Sequence, residues 1–269
     1  MPILENRFAW LRNRNLHWEL AKLALLSAVL VWLGARSIEA IDYHWQWYRI
    51  PDYLFFSADE HWRPGLLLQG LEVTFRIVGC SLVLAAVFGL ATALMRLSGS
   101  FVARTLARAY LEAVRNTPLL IQLFFLYFVV SPILDIGRFS TAVLTLSLFE
   151  GAYASEIFRA GILSIDKGQW EAAYSSGLKT VALYRHIILP QALNRILPPL
   201  TSQAVSLIKD SALVSTIAIY DLTMQGQSIV SETFLTFEIW FTVALIYLCI
   251  AIAVSGFARF LEMRMKIPA

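Results

Sequence analysis

Long apolar stretches separated by short basic segments dominate the hydrophobic pattern of the chain. A helix that crosses a bilayer needs about 20 mostly apolar residues. The run Ile196–Ile208 is too short alone and reaches this length only by continuing through Lys209 and Asp210. With that extension, the pattern predicts six spanning helices. These are Leu23–Ala35, Leu66–Met95, Asn116–Leu134, Phe139–Ser155, Ile196–Tyr220 and Ile239–Ala258.

The first of these stretches, Leu23–Ala35, has the length of the apolar core of a signal peptide as well as that of a short span. The segment before it is long for a signal peptide, and the small-residue pattern of a cleavage site is poor after Leu33. We therefore predict a retained transmembrane helix, with Glu19 and Lys22 extending to the membrane surface. A removable signal peptide is the alternative.

The composition also indicates a membrane protein. Hydrophobic residues make up 58% of the 269 residues and charged residues 15%, whereas a soluble domain is about 45–50% apolar and about 25% charged. With a mean hydropathy of +0.63, we expect an integral membrane protein. The net charge of +3 gives no reason to expect nucleic acid. Cys80 and Cys249 lie in apolar runs, where we expect them to be buried as small hydrophobes, and no His/Cys cluster has metal-ligand spacing.

Basic residues concentrate in alternate connections between the predicted spans, and such loops face the cytoplasm. The pattern predicts that both termini are cytoplasmic. The basic segments hold Arg7, Arg12 and Arg14; Arg96, Arg104, Arg108 and Arg115; Arg159, Lys167, Lys179, Arg185 and Arg195; and Arg259, Arg264 and Lys266.

The connection at about residues 156–194 has a helical pattern of its own. Residues at i, i+3, i+4 and i+7 predict one apolar helical face: Trp170, Ala173, Tyr174 and Gly177. Gly177 also predicts the end of this helix. A second helix, Thr180–Ile188, is predicted to close at Pro190, because the residue before a proline is driven out of helical conformation. The resulting hairpin either packs on its own membrane domain or contacts another protein.

The residues of this hairpin closely resemble the Glu-Ala-Ala loop of ABC importer permeases. The resemblance rests on Gly168, Trp170, Glu171, Ala172, Ala173, Gly177, Leu189 and Pro190. In that family the loop is a coupling helix that docks into a groove of the ATP-binding subunit. The resemblance therefore implies that these residues couple the chain to a separate ATPase.

Other segments resemble the branch of the family that takes up polar amino acids: Arg115–Leu120, Ala152–Ile162, Leu197–Leu200 and Lys209–Ser215. The resemblance covers about residues 66–262. It implies the all-helical transmembrane domain of MetI-type permeases, here a five-helix core with one helix added in residues 1–65 and a cytoplasmic tail at 263–269. Phe149–Tyr153 and Asp210–Ala212 are most similar to glutamate/aspartate-type permeases.

The resemblance implies the permease subunit of a bacterial inner-membrane importer that moves a polar amino acid from periplasm to cytoplasm. The implied partners are two ATP-binding subunits, a second permease chain (a copy or a paralogue) and a periplasmic binding protein. Because no Gly-Lys pair occurs in this chain, it lacks a phosphate-binding loop, so we expect ATP and Mg²⁺ on the partner ATPase and no enzymatic activity here. The alternatives are a permease of the same fold for another solute, and an ion-gradient-driven carrier that would need no docking hairpin.

Residues 41–65 are strongly aromatic: Tyr43, Trp45, Trp47, Tyr48, Tyr53, Phe55, Phe56 and Trp62. Such a segment fits either a belt at the lipid headgroups or an outer surface that touches the substrate-delivering partner.

Polar residues inside the predicted spans are candidates for the substrate pathway. Lys209 and Asp210 lie roughly 20 Å into their span at about 1.5 Å per residue, where an unpaired charge costs about 2.5–3.5 kcal/mol. They line the pathway or form structural ion pairs, and a broken helix there would offer backbone groups to a zwitterionic substrate. Glu150 is a shallower candidate, with a structural hydrogen bond as its alternative role. The remaining candidates are Gln122, Gln203 and Ser206.

Overall fold

The computed structural model describes residues 16–40, 43–58 and 61–265, and these are mostly helical. The chain divides into two compact units after Gln46. In the first unit, α1 (Leu16–Ala40) is one helix of 25 residues that contains the predicted apolar stretch. Near its start, Lys22 pairs with Glu19 at 2.8 Å and lies over the Trp18 ring.

The second unit opens with short elements rather than a long helix. A 3-10 turn, Trp47–Arg49, leads into α2 (Ile50–Leu54) and an antiparallel pair of strands, β1 (Phe55–Ala58) and β2 (His61–Pro64). Gly65 closes this segment by donating its amide to the Leu54 carbonyl at 2.7 Å. A Cβ at Gly65 would lie 2.3 Å from the Tyr53 carbonyl oxygen, so a side chain has no room there.

Two long helices and a sharp bend follow. Helix α3 (Leu66–Leu97) has 32 residues, and α4 (Phe101–Arg115) begins at a Ser100 cap. The next helical run consists of α5 (Leu119–Phe125), a π-helical turn (Leu126–Val130) and α6 (Ser131–Leu134). It is bent by 106° from α4. The prediction that this span begins at Asn116 is wrong, because Asn116 ends α4 and the extended Pro118 precedes α5.

The second half of the unit begins with α7 (Arg138–Leu163), which is longer than predicted and includes Glu156. The remaining elements are α8 (Lys167–Ser175), α9 (Thr180–Leu183), a π-helical turn (Tyr184–Ile188), α10 (Leu189–Asp210), a 3-10 segment (Ser211–Ile217), α11 (Leu222–Thr233) and α12 (Thr236–Met265). The predicted continuous span Ile196–Tyr220 is therefore broken after Asp210.

Helices α3 and α7 pack closely along their lengths and run parallel. Ser81 lies beside Val143, Gly89 beside Ala154, and Arg96 beside Glu156. A Cβ at Gly89 would come within 2.8 Å of the Ala154 Cβ, so small residues set the distance between the helices. Both helices consequently end at the same end of the bundle.

By length and composition, two helices among the described residues could cross a membrane, α3 and the Thr236–Phe260 part of α12. The bent pair formed by α4 and the run Leu119–Leu134 raises this number to three if it counts as one span. The prediction that the cysteines are buried is wrong, because Cys80 and Cys249 are free thiols on exposed faces of α3 and α12. Apolar neighbours in the sequence are found on a lipid-facing surface as well as in a protein core, so they did not distinguish the two.

Candidate functional site

The hairpin predicted to contact a partner is a folded element at the ends of α7 and α10. Asp166 caps α8 by accepting a hydrogen bond from the Gly168 amide at 2.7 Å. Gly177 ends the helix with φ of +74°, a conformation that glycine adopts without steric cost. The Leu178 amide then returns to the Ala173 carbonyl at 3.2 Å. The predicted helix end at Gly177 is confirmed.

The predicted break at Pro190 is wrong. Helical structure continues from α9 through the π turn Tyr184–Ile188 into α10, with Pro190 in the first turn of α10. Because proline has no amide hydrogen, one backbone hydrogen bond of this continuous helical run is not made at Pro190. The wider π turn before Pro190 lets the helical run accommodate the proline, which an α-helix of uniform pitch would not do.

The residues of the hairpin divide between an inner and an outer side. Trp170 and Ala173 pack inward against a core formed by Ile162, Ile165, Leu183, Ile188, Ala192 and Ile196. Glu171, Ala172 and Tyr174 are exposed, so the predicted single apolar face that included Tyr174 is wrong. The motif therefore supplies both the packing of the hairpin and the surface that remains open to a partner.

A charged cluster around Glu156 joins three helices beside this hairpin. Its carboxylate lies 2.7 Å from Arg96, 3.2 Å from Arg115 and 3.3 Å from Arg159. Arg115 also lies over the Tyr153 ring, 5.8 Å from its centroid. Nearby, Arg195 of α10 donates to the Ser164 carbonyl at the end of α7. Sequence reasoning missed this cluster, although each basic residue falls in a segment that it had assigned to the same side of the membrane.

Within the bundle, the structure brings two of the pathway candidates together. The Glu150 side chain is buried, its Oε2 atom has no hydrogen-bond partner among the described residues, and a negative charge on it would be repelled by that of Asp210. Asp210 ends α10, next to exposed Lys209. Gln203 and Ser206 lie on the Asp210 face of α10, at helical spacings of seven and four residues, and both are partly exposed.

Gln122 lies apart from these residues, at the bend between α4 and α5. Its Nε2 atom donates to the Val114 carbonyl at 2.7 Å and to the carbonyl and hydroxyl oxygens of Thr117 at 2.9 Å. These bonds satisfy carbonyls left open where α4 ends. The contacts of Gln122 are those of a residue that stabilises the bend.

A second polar network, which sequence reasoning did not single out, joins α3, α11 and α12. Buried Asp221 caps α11 by accepting from the Met224 amide at 2.9 Å. Thr74 of α3 accepts from the Leu222 amide at 3.2 Å, and the Tyr247 hydroxyl lies 3.0 Å from that of Thr223. Asp221 directly before an apolar stretch was the available signal for the helix cap.

Comparison with known proteins identifies the family. Binding-protein-dependent transport system inner membrane components match residues 85–267, more than half of the chain. The glutamine transport system permease protein of Escherichia coli K12 is 40% identical over 205 residues, which are 75% of this chain and 94% of that protein. The chain belongs to this family. The match to these inner membrane components includes every residue proposed above for coupling and for the substrate pathway.

Other members and solved structures agree with this assignment. The L-cystine transport system permease protein of Bacillus subtilis is 34% identical over 204 residues, 73% of this chain and 85% of that protein. The crystal structure of an amino acid ABC transporter with histidines matches with a TM-score of 0.69 at 35% identity, covering 74% of this chain and 94% of that one. An inward-facing MetNI methionine ABC transporter matches in fold, with a TM-score of 0.63 at 19% identity over 75% of this chain and 97% of that one.

The predicted resemblance and fold class are thereby confirmed. This inner membrane component is the helical permease subunit of an ABC import system and has a MetI-type transmembrane domain. The family depends on a binding protein and on an ATPase outside the permease. An ion-gradient-driven carrier, the alternative from a different class, does not fit this family. The number of spans and the direction of the termini stay predictions.

Proposed function

We propose that this permease moves a polar amino acid from the periplasm to the cytoplasm by alternating access, driven by a separate ATPase that docks on the α8 hairpin. The observation that carries the proposal is the division of the hairpin. Its apolar side is packed against α9 and α10, while Glu171 and Ala172 stay exposed on a capped helix. Because the hairpin is packed on its neighbours and joined to α7 and α10, it can transmit a displacement of the partner to both helices.

The substrate class is supported by the relatives. Matching permeases act in the transport of glutamine and of L-cystine, and the neighbouring structure at 35% identity is an amino acid transporter. The shared chemistry is a zwitterionic backbone with a polar side chain. The glutamate/aspartate resemblance of Phe149–Tyr153 makes acidic amino acids part of the set to be tested.

We assign Glu150, Asp210, Lys209, Gln203 and Ser206 to the substrate pathway. Both signs of charge occur at the end of α10, and the break into a 3-10 segment at Ser211 interrupts the regular helical hydrogen bonds there. A zwitterion needs a partner for its ammonium group and another for its carboxylate. Buried Glu150 and the end of α10 supply groups of both kinds.

We further propose that both termini face the cytoplasm of a bacterial inner membrane and that the hairpin lies on the same side. The assembly would contain two ATPase subunits, a second permease chain and a periplasmic binding protein. ATP and Mg²⁺ would be bound by the ATPase, and this chain would hydrolyse nothing. The basic loops next to α8 support this orientation.

The test is ATPase activity of the reconstituted importer, with the binding protein loaded in turn with glutamine, cystine, glutamate and aspartate. We expect one amino acid to stimulate hydrolysis in the wild type. Glu171→Arg should abolish both the stimulation and the co-purification of the ATPase, because it reverses a charge on the exposed docking surface. Glu232→Arg makes the same change of charge at an exposed position of α11, outside the hairpin, and is the matched control that should leave both properties unchanged.

Unchanged co-purification and stimulation in Glu171→Arg would exclude Glu171 as a contact of the ATPase. If none of these four amino acids stimulates the wild type while the ATPase is bound, all four are excluded as substrates and the coupling proposal is unaffected. The two parts of the proposal therefore fail separately.

A further inference from the structure

The middle of α10 contains several features that weaken a helix. Pro198 and Pro199 lie in its interior, and because neither residue has an amide hydrogen, α10 lacks two consecutive helical hydrogen bonds there. The Thr201 hydroxyl donates to the Pro198 carbonyl at 2.7 Å, and hydroxyl groups bonded back to the helix in this way often bend it. Helix α10 therefore bends more easily at this point than a helix with a complete set of hydrogen bonds.

The proline pair lies between two packed cores of the bundle. Before it, Ala192 and Ile196 belong to the hairpin core described above. After it, Leu207 and Ile208 belong to a second core, which is formed with α3, α5 and α7 and bordered by side chains of α12. Each of residues 197–206 is at least partly exposed, and cavities of about 450 Å³ and 220 Å³ border this stretch on the sides of α7 and α12. The two halves of α10 are thus packed in different cores, and the stretch that joins them is loosely held.

Helix α7 connects the same two cores without such a weak point. Its residue Leu146 lies in the second core and Ile162 in the hairpin core, and its sequence contains no proline. Gly151, between these two positions, is covered by α3 so closely that an added Cβ would lie 3.0 Å from that of Phe88. A displacement of the hairpin is therefore carried along α7 without a bend, whereas α10 bends at its proline pair.

Each of the two helices carries one carboxyl group of the candidate pathway. Glu150 lies on α7 and Asp210 ends α10, near enough for a negative charge on one to repel the other. Asp210 lies about 16 Å beyond Pro199 at about 1.5 Å per residue, so a change of about 10° in the bend displaces it by about 3 Å. Because the first half of α10 is packed with α7 in the hairpin core, such a bend changes the separation between Glu150 and Asp210.

We propose that Pro198 and Pro199 form a hinge that couples the position of the hairpin to the separation between Glu150 and Asp210. The inference rests on the proposed function, in which an ATPase displaces the hairpin and these carboxyl groups line the substrate pathway. The prolines are positioning residues, because they set the distance between groups that contact the substrate. A substrate held between α7 and α10 is then bound with different affinity in the two states of the hinge, and the ATPase selects between these states.

The first test measures amino acid uptake per ATP hydrolysed by the reconstituted importer, with radiolabelled glutamine, cystine, glutamate and aspartate in turn. Pro198→Ala/Pro199→Ala (the alanine pair) restores both missing hydrogen bonds and stiffens α10. Uptake per ATP should fall at least about fivefold, while the ATPase still co-purifies. Pro198→Gly/Pro199→Gly (the glycine pair) keeps a helix that bends easily and should retain most of the uptake. Pro51→Ala/Pro132→Ala replaces exposed prolines of α2 and α6 and is the matched control.

The second test follows the hinge without transport. In a chain whose Cys80 and Cys249 are replaced by alanine, Glu150→Cys/Asp210→Cys places one thiol on each helix. The rate of disulfide formation between these thiols, in the complex with the ATPase, should change at least about fivefold when a non-hydrolysable ATP analogue binds. Adding the alanine pair should remove this response to the nucleotide, and adding the glycine pair should preserve it.

Several results would overturn the proposal. These are an unchanged uptake per ATP in the alanine pair, an equal loss in the glycine pair or in the control, and a disulfide rate that ignores the nucleotide or responds to it equally in the alanine pair. Failure of the wild type to take up any of the four amino acids would instead contradict the proposed substrates. The disulfide rate tests the hinge separately, because it depends on the bound nucleotide and not on the transported amino acid.

Discussion

The indole ring of Trp170 meets the phenol ring of Tyr184 edge to face, with centroids 5.5 Å apart and planes at 83°. The two residues come from different arms of the hairpin, α8 and the π turn that follows α9. The contact therefore fixes the exposed residue next to Trp170, Glu171, relative to α10. A partner that pushes on α8 displaces α10 only if this junction is stiff.

Trp170→Ala should loosen α8 from the second arm without unfolding the bundle. An aromatic pair contributes about 0.5–1.5 kcal/mol beyond the area that it buries, which alone corresponds to roughly twofold to 13-fold faster amide exchange in α8. The lost packing of the indole against the hairpin core increases this effect. Hydrogen exchange with mass spectrometry measures this. Val181→Ala changes an exposed side chain of α9 and serves as the control. Equal exchange in both variants would show that the ring pair does not hold the hairpin.

Gly177→Ala should destabilise the hairpin for a purely conformational reason. A Cβ at Gly177 would meet nothing within 4 Å, yet the residue has a φ of +74°, which costs about 1–2 kcal/mol for a residue with a side chain. Limited proteolysis should cut the Gly177 turn faster in this variant. Gly137→Ala, at φ of −69° and with equally open surroundings, should be cut at the wild-type rate. If both variants are cut at the Gly177 turn at the same rate, a glycine with positive φ is not required for the stability of the hairpin.

Glu156→Gln should lower the stability of the permease more than the removal of an exposed carboxylate. Glu156 pairs with three arginines while only partly exposed, and hydrogen bonds to charged groups contribute about 1.5–3 kcal/mol. Glu72→Gln, which removes an exposed pair with Arg76, should cost only about 0.3–0.5 kcal/mol. Thermal unfolding in detergent compares the two variants. Equal midpoints would mean that the cluster contributes no more than a surface pair.

The features that could be predicted from the sequence depend on residues that are close to one another along the chain. The continuous apolar run of α3 and the glycine that ends α8 are local signals, because hydrophobic length and positive φ are properties of one segment. The coupling motif was likewise legible, since its members lie within 23 residues of one another. These predictions needed no knowledge of what packs against what.

The missed features depend on contacts between segments. Pro190 predicts a break only if the helix before it keeps a uniform pitch, and a π turn removes that condition. The Glu156 cluster joins residues 41 and 60 positions apart, a pairing that charge patterning does not give. The right-angle course of α4 is set by the corner at Pro118 and by the burial of Ala107 and Leu111. The spacing of the arginines along α4 does not predict this course.

Gly89→Ala and Gly79→Ala test whether small residues set the distance between α3 and α7. Both glycines lie in α3, where alanine alone should favour the helix by about 0.5–1 kcal/mol. A Cβ at Gly79 meets nothing within 4 Å, so Gly79→Ala should leave the unfolding midpoint unchanged or raise it.

At Gly89 the added methyl would lie 2.8 Å from the Ala154 Cβ and 3.1 Å from the Gly151 carbonyl oxygen, both on α7. Since neither atom belongs to a flexible side chain, the helices must separate, which costs about 1–3 kcal/mol. A lowered midpoint for Gly89→Ala alone is expected, and Gly89→Ala/Ala154→Gly should recover most of the loss. Equal midpoints for the two single variants would show that the α3–α7 distance is set by other contacts.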